Sequence, residues 1–245
     1  MRRWRAFFAI LAKDMRTYYL KPPNISWGIV FPLAWTAMFF LRSGSGLGSV
    51  PSLLPGVVSV AILFGTTSML AVTVTFEKKN RSFQRLLLAP IPFELLMLAK
   101  TGGAILFGTA NAFVPVIIAG FIVDLSGVVW IAFVPAVILI AMSSAFLGLF
   151  IAVAVSEVFE AQTFSNFFRF PMIFLCGLFF PITKLPVFIR PLSYAFPLTY
   201  GADVLHGAVQ GEHELPYLLD FGALAAFCIV LFAASLWNIR RKWIL

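Results

Sequence analysis

FEKKNRSFQRLLLAPIPFELLMLAKT, residues 76–101, is the longest run of this 245-residue chain that hydrocarbon cannot hold, and long apolar segments flank it on both sides. Lys78, Lys79, Arg81, Arg85 and Lys100 outnumber its two acids, Glu77 and Glu94. Phe83, Leu86 and Leu87 recur at helical spacing, which predicts one short amphipathic helix. Pro90 and Pro92 end it, because proline lacks an N–H and clashes with the preceding turn. A second helix starts near Phe93, with Glu94 in its first turn, and runs on into the next apolar segment. A helix, a break and a helix on the basic side of a bilayer make a docking surface for a soluble partner.

Outward from that stretch, composition sets the class. The chain is 61% hydrophobic and only 11% charged, and its uninterrupted apolar runs read as a polytopic, all-α membrane protein. The net charge of +8 does not point to nucleic acid, since the cations lie in short clusters between apolar segments, as membrane topology demands. Cys176 and Cys228 lie inside apolar runs and read as buried free thiols. The N-terminus lacks a cleavable leader pattern.

Six spans are predicted, at residues 25–41, 53–76, 101–123, 128–155, 163–180 and 217–237. Before them, residues 1–21 place Trp4, Phe7, Phe8, Leu11, Met15, Tyr18 and Tyr19 on one stripe of a helix lying in the membrane interface. Asn24 caps the next helix. Ala104, Gly108 and Ala112 in the third span, and Ser144, Gly148 and Ala152 in the fourth, form seams for close helix packing. Residues 181–216 are too polar to cross and too apolar for an ordinary loop. With both termini cytoplasmic, fourteen of the eighteen cations face inward, a strong positive-inside bias. No internal repeat, low-complexity tract or soluble domain interrupts this single unit, residues 1–245.

Chemistry-bearing patterns are sparse. The span middles lack Asp, Glu, Lys and His, which disfavours an ion-coupled carrier. Arg169 comes closest to a midspan charge. It either snorkels to the cytoplasmic interface or pairs with Glu157 or Glu160, or it lines a substrate path. His206 and His213, with Asp203, Glu212 and Glu214, read as a polar rim, since their spacing matches no metal motif. No catalytic constellation is present. Lys100-Thr101 resembles the end of a phosphate loop, but that loop needs glycine where Glu94 and Ala99 stand. Gly44, Gly46 and Gly48 miss the dinucleotide fingerprint at Ser49.

Two stretches resemble one family, the ABC-2 type permeases, membrane subunits of prokaryotic ABC exporters for drugs, lipids or polysaccharides. One is the 76–101 segment. The other is SNFFRFPMIFLCGLFFPITKLPVFIRPLSYAFPLTYGADVLHGAV, residues 165–209, with Pro171, Gly177 to Pro181, Leu185-Pro186, Pro197 to Tyr200 and Asp203 at the family's positions. His206 departs from it, many members carrying arginine there. The resemblance implies a plasma-membrane homodimer or pseudo-dimer of six-span subunits, each docked on a nucleotide-binding ATPase that binds the ATP and Mg. It implies a coupling helix within residues 77–100, with Glu77, Lys79, Arg81, Phe83, Gln84, Arg85, Leu86 and Leu87 meeting that ATPase. It implies an interfacial helix anchored in lipid by Trp4, Phe7, Phe8 and Leu11, and re-entrant outer helices in residues 181–216. The cargo path would pass Arg169, Pro171, Phe174, Phe179 and Pro181. A hydrophobic or amphiphilic cargo, drug-like or lipid, is the leading expectation. A lipid-linked glycan, or a scaffold that transports nothing, stands as the alternative.

Overall fold

Between Val50 and Glu77 no ionisable side chain occurs, so in a hydrocarbon setting the backbone can satisfy its polar groups only within the segment. In the computed structural model, which describes residues 2–34, 37–38, 50–88, 91–179 and 181–244, this stretch is one 30-residue helix, α3 (Val50–Lys79). It is the hub of the molecule, buried almost continuously from Leu54 to Glu77. Around it stand α5 (Phe93–Gly120), α6 (Trp130–Ala154), α7 (Val158–Leu175), α9 (Pro197–Gln210) and, beyond α6, α10 (Tyr217–Ile239). Shorter pieces complete the order: α1 (Arg2–Asp14), α2 (Pro22–Ile25), α4 (Ser82–Leu87) and α8 (Arg190–Tyr194). α1 and α2 each run on into a wider π-helical turn, Met15–Tyr19 and Ser26–Val30. No strand occurs among the described residues.

Both small-residue seams face the hub. A Cβ on Gly108 of α5 would run into Thr66 Cγ2, and one on Gly148 of α6 into the Thr67 carbonyl oxygen. Close backbone approach replaces the side-chain interdigitation of a water-soluble core.

Six spans were expected. Among the described residues four helices are long and apolar enough to cross a membrane, at Val50–Lys79, Phe93–Gly120, Trp130–Ala154 and Tyr217–Lys242. The expected first span lies partly outside the described residues, as do most of the 42–52 loop and Pro90. The expected fifth is α7, an 18-residue helix whose Glu160, Gln162, Asn166 and Arg169 keep it out of that set. Residues 181–216 form a 3-10 turn (Ile182–Lys184), α8 and α9. α9 is largely buried, and the end of α9 is tied to the start of α6 by Val129 N–H donating to the Ala208 carbonyl at 2.8 Å.

Candidate functional site

At the end of α3 that carries Glu77, three helices converge on a buried ionic cluster. Glu77 is fully buried, and Asp14 and Lys100 are each 1% exposed. Lys100 Nζ donates to Asp14 Oδ2 at 2.8 Å and forms an ion pair with Glu77. Lys13 donates to Glu77 Oε1 at 2.6 Å and lies 3.2 Å from Asp14 Oδ1. Two cations and two carboxylates thus balance. They join the last turn of α1, the end of α3 and the second turn of α5. Such a set holds only while all members are present, since removing one strands its counterpart in a low-dielectric setting. The Tyr18 hydroxyl beside it is pushed up to about 12, first by burial and then by the Glu77 charge. Tyr19, also buried, packs on Gly103 and on the Phe107 ring, 5.7 Å away.

The cluster anchors the basic segment. After α3 the chain turns at Arg81, whose φ of 55° is left-handed, and α4 folds back on the bundle. Phe83 is 1% exposed and joins Leu70, Val74, Leu96 and Met97 in an apolar core against which Leu86 and Leu87 also pack. Lys79, Arg81, Gln84, Arg85 and Leu88 are left facing outward. The residues expected to meet a partner therefore divide: Glu77 and Phe83 fix the segment from inside, and the basic residues with Gln84 present the surface.

In α1, Ile10 and Asp14 are buried while Phe7 and Leu11 are half-buried, approaching α5 at Gly102. Trp4 and Phe8 point away, 60% and 61% exposed. The expected single apolar stripe is split between a protein-facing and an outward flank. Two exposed pairs add to the stitching: Lys79 to Glu157 at 2.6 Å, and Arg240 to Glu94.

Arg169 corrects an expectation. It neither snorkels nor pairs with Glu157 or Glu160, because Glu157 is engaged by Lys79 and both acids close a capping box at the start of α7. Arg169 is 2% exposed, with its guanidinium 4.0 Å above the Phe64 ring and Nη1 donating to Asn166 Oδ1 at 3.3 Å. The other residues of the expected path are not gathered with it. Phe174 lies on the exposed flank of α7. Pro171 sits inside that helix. Phe179 and Pro181 line a cavity of about 540 Å³ with Cys176, Tyr194, Asp203, His206, Glu212 and Glu214. There Asp203 accepts from the backbone N–H groups of Glu214 and Leu215, both at 2.8 Å. Burial holds the His206 imidazole below its ordinary value, outweighing the nearby Gly177 backbone and the charge of Asp203. Among the described residues no His, Cys, Asp or Glu group is arranged to hold a metal ion.

The ionic cluster as a whole is not legible in the sequence, where Lys100 counts only among the cations of the 76–101 stretch. A signal existed: Asp14 falls at i+4 from Ile10 and i+3 from Leu11, placing a carboxylate on the apolar face of α1.

Comparison with known proteins places this architecture. The ABC-2 type transporter family matches residues 5–209. The inner membrane transport permease YadH of Escherichia coli (strain K12) is 24% identical over 98% of this chain and 96% of its own. Nodulation protein J of Rhizobium meliloti (strain 1021) is 28% identical over 86% of this chain and 84% of its own; that of Rhizobium leguminosarum bv. viciae is 25% identical over 86% and 85%. With four helices apolar enough to cross a bilayer and a family match over most of its length, this chain belongs to the ABC-2 type transporter family as a multi-pass protein of the bacterial inner membrane.

Proposed function

We propose that the chain is the substrate-conducting subunit of an ATP-driven exporter, moved by a separate nucleotide-binding ATPase that grips the outward face of residues 77–100. The supporting observation is mechanical. α4 presents Arg81, Gln84, Arg85 and Leu88 outward, while the segments on either side of it enter a buried ionic cluster shared with α1. A push on α4 therefore reaches α3 and α5 directly, and α1 moves with them. In this reading both termini are cytoplasmic, α1 lies in the interface with Trp4 and Phe8 toward lipid, and two copies form the pathway. The partner supplies ATP and Mg binding. The cargo is a hydrophobic or amphiphilic molecule, in keeping with the Phe-rich flank of α7.

Co-expression with a candidate ABC ATPase subunit and reconstitution in liposomes test this reading. Hydrolysis should depend on the chain, and Arg81→Glu with Arg85→Glu should abolish that dependence without lowering the melting temperature. Hydrolysis indifferent to both would end the proposal. Export of a lipid-linked glycan is the second reading, favoured by the hydrogen-bonding lining of the 540 Å³ cavity. A panel of drug-like molecules, lipids and glycans tested for ATPase stimulation separates the two.

A further inference from the structure

Arg169 is a buried cation whose anion the fold does not supply. A guanidinium carries five N–H donors, and the structure answers one, through Asn166. Among the described residues Nε and Nη2 have no hydrogen-bond partner. Those two nitrogens form the side edge of the guanidinium, the fork that takes a carboxylate or phosphate with two parallel bonds. The Phe64 ring, 4.0 Å away, attracts the charge but offers no acceptor.

No carboxylate of the chain fills the place. The sequence has ten Asp and Glu, all at described positions. The two on either side of the start of α7, Glu157 and Glu160, are engaged there. The other eight belong to the ionic cluster, the Arg240 pair, the Asp124 turn, and the cavity region with the neighbouring Asp220. None forms an ion pair with Arg169. A buried charge without its counterpart is among the costliest features a fold can carry.

We infer that Arg169, with Asn166 beside it and Phe64 behind it, receives the anionic head of an amphiphile, a phosphate or carboxylate, about 16 Å along α7 from its first residue. This deepens the proposal that amphiphilic cargo passes through the chain, and rests on it for the role, though not for the binding. The other side of α7, roughly opposite Arg169 around the helix, is apolar as well, with Phe164, Phe167, Phe170 and Phe174 exposed along it, so the guanidinium stands in a helix with an apolar outer flank. In this structure the α3–α7 seam closes over the guanidinium. Pro171, two residues on, removes a rung of helical hydrogen bonding and gives α7 a point at which to bend away.

The purified full chain in dodecyl maltoside, which carries no anion, is titrated with dodecyl phosphate and with dodecyltrimethylammonium of equal chain length. The wild type should bind the phosphate and ignore the ammonium. Arg169→Gln should weaken phosphate binding about tenfold or more, and Arg169→Lys, which keeps the charge but loses the fork, should fall between. Added phosphatidylglycerol separates the sources. Its retention by the wild type in native mass spectrometry, with loss in Arg169→Gln, assigns the anion to a lipid headgroup; dodecyl phosphate binding without retained lipid assigns it to free cargo. Equal binding by wild type and Arg169→Gln, or none by the wild type, overturns the site. In maltoside alone Arg169→Gln should melt at or above the wild type. A lower melting temperature means that Arg169 already has its anion within the protein, and also overturns the site. No arm uses ATP or a partner, so failure here leaves the coupling proposal standing, and failure of coupling leaves the site.

Discussion

Lys100 serves two carboxylates at once, Asp14 and Glu77, with all three side chains sealed from solvent. Lys100→Met leaves them with Lys13 alone, and the expected loss is about 3–5 kcal/mol. Adding Glu77→Gln restores charge balance and should recover most of it. Thermal melting in detergent reads both; a single variant as stable as wild type would mean that the four charges are not coupled. His206 carries a different signature. Burial lowers its pKa from the ordinary 6.5, so the unfolded chain binds the proton more readily than the folded one. The stability His206 contributes is then full above about pH 6.5 and lost as pH falls through the folded value. Melting between pH 8 and pH 5 should slope downward toward acid, and His206→Gln should flatten that part of the slope.

At the scale of elements, packing rests on backbone contact. Gly108→Ala places a methyl against Thr66 Cγ2, on a β-branched side chain whose hydroxyl already donates to the Ile62 carbonyl at 2.7 Å. Overpacking of this kind costs about 1–3 kcal/mol. The double variant with Thr66→Ser removes the obstructing methyl and should recover stability, a rescue that a mere propensity effect would not show. In α4 the inward and outward faces have separable roles. Phe83→Ala should destabilise the chain by about 3–5 kcal/mol. The Arg81 and Arg85 substitutions should instead leave melting unchanged and act only through the ATPase. α1 and α4 were legible as short amphipathic helices because the 3.6-residue period is local. Which part of the apolar stripe meets protein was not, because that choice depends on a neighbour distant in sequence. Leu11 against Gly102 and Phe83 among Leu70 and Leu96 are both such choices.

For the whole molecule, topology is the decisive measurement. Single cysteines at Gln84 and Glu212, both exposed, in a background lacking Cys176 and Cys228, should react with impermeant thiol reagents from opposite faces of the membrane. Labelling of both from one side would dismantle the proposed orientation and the coupling scheme with it. What the sequence determined alone was class, family and the placing of four of the apolar helices. Hydrocarbon tolerates only long uncharged segments, and that demand is written residue by residue. The tertiary structure decided where the rare charges go. Asp14, Glu77 and Lys100 meet across 86 positions of chain, and Arg169 is left facing Phe64 rather than its near neighbours Glu157 and Glu160. Ion pairing in a low-dielectric interior is set by which helices pack together, and no local pattern encodes that.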